Sequence, residues 1–403
     1  MKYDFTSIID RHGRDSIAVD GLKGDGFSPA PPKEGFDAIP MWVADMNFPT
    51  VPTIQQAIIE RASHPAFGYF EAPPEYYKAI IRWQETRHGV TGLKPRHIGY
   101  ENGVLGGVIS ALNCICSRGD NVLVHSPTYI GFTSSLKNNG YEAVHSPLVR
   151  DENGIWRMDY ADMEKQLREK KIHAAILCNP HNPCGRVWER WELEKAMELY
   201  RKYDVYVITD EVYEHIVYAP HTHTYFATLP GMWERTISCS SLSKTYSITG
   251  WRLGYIIAPA EIIDRAKKVH DFLTVGAAAP LQEAVIPGLK FGQDYYDDFL
   301  AKYTHKKELF LKGLDDLHIV HNDPEGAYYV LMDVSEFGYD SDLKFCEDLA
   351  RLVGVGAVSG SSFFREPVNH LIRFHFAKKD ETLLEALNRL EGLRAKIPSR
   401  KKS

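Results

Sequence analysis

A chain of 403 residues is too long for one small core, so two closely joined domains are expected. Its formal net charge of −6 gives no basic footprint for nucleic acid, and no apolar run is long enough to span a bilayer. Six cysteines are too sparse for a disulfide scaffold, and Met1–Phe5 lacks the apolar core of a signal peptide, so a reduced cytoplasmic protein is expected.

Residues 1–40, with Ser28-Pro29-Ala30-Pro31-Pro32 in the middle, read as an extended arm. Ile39 to Phe48 is an apolar run broken by Asp45, the pattern of a core segment ending in a turn. Pro52–Ala62 reads as a helix with Ile54, Ala57, Ile58 and Ala62 on one face. Phe67-Gly68-Tyr69 follows, then a second helix at Tyr76–His88 with Trp83 on its apolar side. The glycine-rich stretch Ile98 to Gly107 leads into a helix predicted over Val108–Cys116. It is neither a Rossmann nor a Walker pattern. Glycine lets backbone approach an anion, and free N–H groups at a helix start bind phosphate, so a phosphate loop and an ordinary turn both stay open.

From here strands alternate with helices. Short apolar strands are predicted at Asn121–His125, Ala174–Leu177, Val205–Thr209, Arg235–Cys239 and Gly254–Ala258. Helices are predicted at 159–170, Glu192–Lys202, Glu261–Phe272 and 280–291. The turn Asn179-Pro180-His181-Asn182-Pro183-Cys184-Gly185 is stiffened by two prolines. Asp210-Glu211-Val212-Tyr213 stands at a strand end, where an isolated Asp is commonly a turn or cap residue. His215, His221 and His223 are irregularly spaced and have no evident carboxylate or cysteine companions, so no metal site is expected. Tyr295–Leu314 reads as a long helix entering a smaller domain, followed by a strand at Ala327–Leu331 and a helix at Asp342–Val353. In His370 to Ala377, Arg373 alternates with apolar neighbours, and the residues alone allow an interface ion pair.

The most informative stretch is Ser240-Ser241-Leu242-Ser243-Lys244-Thr245-Tyr246-Ser247-Ile248-Thr249-Gly250-Trp251-Arg252-Leu253-Gly254-Tyr255. It follows a predicted strand, so Lys244 falls in the crevice where open α/β sheets bind ligands. A lysine held away from water and near another cation has a lowered pKa and can attack carbonyls as a free amine. Arg252 offers a planar fork suited to phosphate, and the Ser241 and Ser243 hydroxyls can add hydrogen bonds to the same anion.

This stretch resembles the Schiff-base signature of the class I/II aminotransferases, pyridoxal-phosphate enzymes of fold type I. The Asn-Pro-x-Asn-Pro-x-Gly turn is similar to the same family's, while Met41-Trp42-Val43-Ala44-Asp45-Met46 resembles the N-terminal signature of its cystathionine β-lyase and C–S lyase branch. The resemblance runs from about residue 40 to residue 390. It implies that Lys244 carries pyridoxal 5′-phosphate, that Asp210 lies beside the pyridinium nitrogen, and that Tyr213 and Asn182 reach the phenolic oxygen. It makes Tyr129 the aromatic stacked on the ring, and gives the backbone amides of Val104 and Leu105 to the phosphate with Ser241, Ser243 and Arg252. Arg373 becomes the clamp for the substrate α-carboxylate, and the loop at Ala44 lines that side of the site. Tyr69 becomes a residue that crosses a homodimer interface to the partner's cofactor phosphate.

The implied fold is a large α/β domain with a mostly parallel central sheet flanked by helices, plus a small α+β domain built from both chain ends. Residues 1–48 form the arm joining the small domain, 49–285 the large domain and 286–403 the small one. The Asp-Glu-Val-Tyr and Thr-Gly-Trp-Arg-Leu-Gly-Tyr segments resemble aminotransferases, which favours transamination between an L-amino acid and a 2-oxo acid. The N-terminal motifs keep open a C–S β-lyase releasing pyruvate, ammonia and a thiol. The third reading, a non-catalytic regulator on the same fold, is opposed by the presence of Lys244 and its companions.

Overall fold

A computed structural model describes residues 4, 7, 9–14, 16–23, 30–274 and 278–400. Ser28 and Pro29 of the expected arm, and Met1–Tyr3 and Phe5 of the terminus, lie outside the described residues. Eight strands make the principal sheet: β1 (Ile98–Glu101), β2 (Asn121–Ser126), β3 (Glu142–Arg150), β4 (Trp156–Met158), β5 (Ile172–Cys178), β6 (Tyr206–Asp210), β7 (Thr236–Ser240) and β8 (Gly254–Ile257). Their order is β1-β8-β7-β6-β5-β2-β3-β4. Pairings from β7 through β3 are parallel, whereas β8 runs antiparallel to both neighbours and β4 antiparallel to β3. β6 and β7 are almost continuously buried because helices cover both faces, which is why they read as apolar runs rather than alternating ones. The sheet carries one hydrophobic cluster on each face, one around Leu177 and Trp188 and the other around Val108 and Ile256.

A smaller antiparallel sheet has the order β9-β11-β10, from β9 (Tyr329–Asp333), β10 (Val358–Ser359) and β11 (Leu371–His375). The 24-residue helix Gln293–Asp316 packs against Asp380–Glu391. The crossing is close, since a Cβ at Gly313 would stand 2.2 Å from Leu387. The N-terminal segment is sewn into this part of the molecule. Ile39–Pro40 pairs in parallel with Val355–Gly356, and the Met41 carbonyl accepts from His375 N at 3.0 Å. Among the described residues no helix is long and apolar enough to cross a membrane.

Several boundaries depart from expectation. The helix predicted from Val108 begins at Gly103, so the glycine-rich stretch is its first turn and not a loop before it. The 280–291 prediction breaks into Ala279–Val285 and a 3-10 turn at Gly288–Lys290, with Pro287 between them. Asp342–Val353 is α-helical only to Asp348 and continues as a π turn. β9 starts at Tyr329 because Ala327 holds a left-handed backbone, φ +58. β3 was not expected, since Glu142, His145, Pro147 and Arg150 interrupt its apolar pattern.

Candidate active site

The C-terminal ends of β5, β6 and β7 open toward the start of the Gly103 helix, the place where open α/β sheets bind ligands. Lys244 follows β7 by four residues and stands half-buried at the wall of this cavity. Its Nζ donates to the Ala44 carbonyl at 2.6 Å and to Thr249 Oγ1 at 3.4 Å. Burial, with Arg252 and Arg373 nearby, pushes the amine down to about 8, against the pull of Asp45 and Asp210. The turn that presents it closes on itself, Ile248 N donating to the Ser243 carbonyl at 3.1 Å.

Arg252 sits at the far end of that turn in a left-handed conformation, φ +54, with Nη1 donating to the Thr249 carbonyl at 2.9 Å. A Cβ at Gly103 would lie 2.8 Å from Arg252 Nη2, and one at Gly254 would lie 2.8 Å from the Gly103 backbone. Two glycines therefore let the guanidinium come up against a helix N-terminus, where unpaired N–H groups and the helix dipole already favour an anion. Val104, Leu105 and Ser243 line the same end of the cavity. Ser241 does not reach its wall. Its hydroxyl hydrogen-bonds the Leu253 carbonyl and Ser243 Oγ, so it braces the turn from behind.

Asp210 is the last residue of β6 and is buried, accepting from Val212 N at 3.1 Å. Loss of water raises its carboxyl to about 7, despite that hydrogen bond and the Lys244 amine. The buried Tyr213 hydroxyl pairs with that of Tyr329 on β9, joining the two sheets across the cavity. Tyr129 and Asn182 complete the wall, together with Ala44.

Arg373, from β11, is buried beside this cavity. Its Nη1 donates to Asn182 Oδ1 at 2.7 Å and its Nη2 to the Trp42 carbonyl at 3.0 Å. The guanidinium stacks on Tyr329 and Phe363, 4.2 and 4.6 Å from the ring centres. Its Nε–H is buried without a hydrogen-bond partner. Tyr69 is 96% exposed and takes no part in its own chain's cavity. Thr249 and Tyr329 are lining residues that sequence reasoning missed. Thr249 lay within the lysine motif, whereas nothing near Tyr329 in the chain marks it.

The histidines need a correction. His215 and His223 do have carboxylate partners: His215 Nε2 lies 3.4 Å from Glu214, and His223 Nε2 lies 2.7 Å from Glu211. His88 Nε2 approaches Glu214 at 2.9 Å from the other side. Among the described residues His88, Glu214 and His215 bring their ligand atoms within 4.8 Å of one another, while His221 stands apart at 3.8 Å from Glu325. The place of His88, 126 positions earlier than Glu214, is what the sequence hid.

This donor set fits pyridoxal 5′-phosphate. It offers an amine of lowered pKa, a buried acid opposite it, and a guanidinium over a helix N-terminus for a phosphate. Asn182, with Oδ1 committed to Arg373, keeps its amide N–H groups for an oxygen in the cavity.

The comparisons agree. Cystathionine beta-lyase PatB of Bacillus subtilis (strain 168) is 31% identical over 319 residues, covering 76% of this chain and 81% of that protein. Methionine aminotransferase of Escherichia coli (strain K12) is 31% identical over 317 residues, covering 78% and 81%. The solved PLP-bound C–S lyase from Staphylococcus hominis superposes with a TM-score of 0.84 at 26% identity, covering 97% of this chain and 98% of that one. Residues 38–390 match the family described as aminotransferase class I and II. The chain belongs to that family and is a pyridoxal-phosphate-dependent enzyme of the aminotransferase or C–S β-lyase kind.

Proposed function

We propose that this protein is an aminotransferase that moves the amino group of an L-amino acid to a 2-oxo acid. The observation that carries the reading is the Thr249–Arg252 turn, which sets Arg252 against Gly103 in the manner of the aminotransferase-type motif. When bound, pyridoxal phosphate supplies an electron sink that acidifies the substrate Cα–H. Lys244 holds the cofactor and then shuttles the proton at Cα, a task suited to an amine with pKa near 8. Asp210 would hold the proton on the ring nitrogen. Arg252, Ser243 and the first-turn amides of Val104 and Leu105 hold the phosphate, with Ser241 fixing Ser243. Tyr129 would hold the ring, Asn182 and Tyr213 its phenolic oxygen, and Arg373 the α-carboxylate beside Ala44. The exposed ring of Tyr69 supports a homodimer in which it serves the partner's site.

A second reading, C–S β-elimination, is favoured by the Trp42–Ala44 loop, whose carbonyls bind both Arg373 and Lys244. The deciding experiment feeds the purified holoenzyme single amino acids and assays separately for keto acid with the pyridoxamine form, and for pyruvate with ammonia. Stoichiometric keto acid without ammonia supports transamination. Ammonia and a free thiol from cystathionine would replace it with the lyase reading.

A further inference from the structure

Where the helix Pro74–His88 ends against the turn after β6, three side chains converge that take no part in the wall of the lysine cavity. The side chains of His88, Glu214 and His215 are 8%, 2% and 5% exposed. His88 Nε2 lies 2.9 Å from Glu214 Oε2, and His215 Nε2 lies 3.4 Å from Glu214 Oε1. Yet His88 Nε2, His215 Nε2 and Glu214 Oε2 are each buried without a hydrogen-bond partner among the described residues. These close approaches therefore join groups that do not point at one another as donor and acceptor. Three such atoms left dry and unbonded are costly, and a cation between them would take a lone pair from each.

The spacing suits a metal. Zinc bonds of about 2.0–2.2 Å to imidazole and carboxylate put neighbouring ligands of a tetrahedron roughly 3.3–3.6 Å apart. Here the three ligand atoms all lie within 4.8 Å of one another. The rings are also held in place. His88 stacks on Tyr225 with ring centres 5.1 Å apart and lies at 24° to the His215 ring. His215 packs against Trp83 and Tyr296, both at 4.9 Å. Ser240 Oγ donates to Glu214 Oε1 at 3.3 Å, which leaves Oε2 for a metal. Gly89, next to His88, is exposed, so the cluster lies close under the surface.

We propose that His88, Glu214 and His215 bind a divalent transition metal, with Zn²⁺ the best-suited ion and a water in the fourth position. Two imidazoles and one carboxylate suit zinc, whereas Mg²⁺ and Ca²⁺ prefer oxygen ligands. The metal would fasten the end of the Pro74–His88 helix to the segment that carries Asp210 and Tyr213, bracing the cofactor site from outside. All three ligands come from one chain, and the site is independent of which reaction the cofactor cavity runs.

The test titrates Zn²⁺ into holoenzyme that has been stripped with EDTA and gel-filtered, and counts bound metal by elemental analysis. About one zinc per chain is expected, with a rise in melting temperature, because a ligand of the folded state adds its binding free energy to stability. EDTA should reverse the rise, and Mg²⁺ at the same concentration should not produce it. His88→Gln and His215→Gln should each weaken Zn²⁺ by about 100-fold or more, since even the outer partners of metal ligands are worth about 10- to 100-fold. His305→Gln, exposed on the Gln293–Asp316 helix, should leave binding unchanged. If one variant fails to fold the other decides, and if both fail the zinc count and its EDTA reversal in the unaltered protein decide. Zinc no higher than background, zinc held as tightly by the histidine variants, or an equal shift with Mg²⁺ overturns the proposal and leaves His88 and Glu214 as a buried ion pair.

Discussion

Arg373 and Asn182 are 191 positions apart in the chain, yet Nη1 of one donates to Oδ1 of the other at 2.7 Å at the floor of the site. The bond fixes the plane of the guanidinium and also dictates which way the amide faces. Arg373→Lys keeps the charge and loses the fork. It should weaken every amino-acid substrate by roughly 1.5–3 kcal/mol, about 10- to 150-fold in apparent affinity. Asn182→Ala should also raise KM by removing the brace. Unchanged KM across alanine, methionine and phenylalanine in the Arg373 variant would remove it from the carboxylate site.

Lys244 should be the residue that captures the cofactor. With its amine pushed down to about 8, the reactive neutral form is gained as pH rises to that value. Reconstitution of the apoprotein with pyridoxal phosphate should therefore speed up to about pH 8 and then level off. A rate still climbing toward pH 10 would mean an ordinary lysine. Borohydride should fix the cofactor on Lys244, and Lys244→Ala should abolish turnover with the fold retained.

Asp210 links function to stability. Its carboxyl is raised from 3.8 to about 7 by burial, so the folded apoprotein holds a proton that the unfolded chain releases. That contribution is fully present below about pH 4 and lost as pH rises through 7. Asp210→Asn removes the penalty for a buried charge, and should stabilise the apoprotein at pH 8 by on the order of 1–4 kcal/mol. The same variant should lose most of its turnover. Melting curves at pH 5 and pH 8 check this: the gain should be clearly larger at the higher pH.

Arg252→Ala should leave the fold intact and weaken cofactor retention, since the guanidinium faces the Gly103 helix start from an exposed turn. A charged hydrogen bond is worth roughly 1.5–3 kcal/mol, so the cofactor Kd should rise by at least about tenfold. Dialysis against buffer followed by absorbance reads it directly.

Tyr69 tests assembly. Tyr69 is 96% exposed on its own chain, and the proposed homodimer would bring it to the partner's site. Sedimentation should give a dimer, and Tyr69→Phe should loosen cofactor binding without altering the mass. A fully active monomer at assay dilution excludes the shared site.

The parts of the site that the sequence made legible are those whose chemistry is local. Lys244, Ser243 and Arg252 lie within ten positions, Asp210 ends a strand that an apolar run announces, and Asn182 lies in the proline-stiffened turn that follows another. Tyr329 and the approach of His88 to Glu214 were illegible because only the meeting of β9 with the large sheet, and of the helix Pro74–His88 with the segment after β6, makes them neighbours. Ser241 shows the opposite limit. Its motif suggested the anion, but two residues of spacing turn its hydroxyl to the Leu253 carbonyl instead. β3 escaped for a third reason: at Glu142, His145 and Arg150 the strand carries polar side chains that hide its period.

The Trp42–Ala44 loop holds both reactive cations through main-chain oxygens, Trp42 O to Arg373 and Ala44 O to Lys244. Carbonyls belong to every residue type, so these two ties survive a change of side chain at either position. They do not survive a change in the number of residues between them. What natural variation should therefore preserve in this loop is its length: substitutions can drift and retune the neighbouring cavity, while a single insertion or deletion would slide one oxygen out from under its cation.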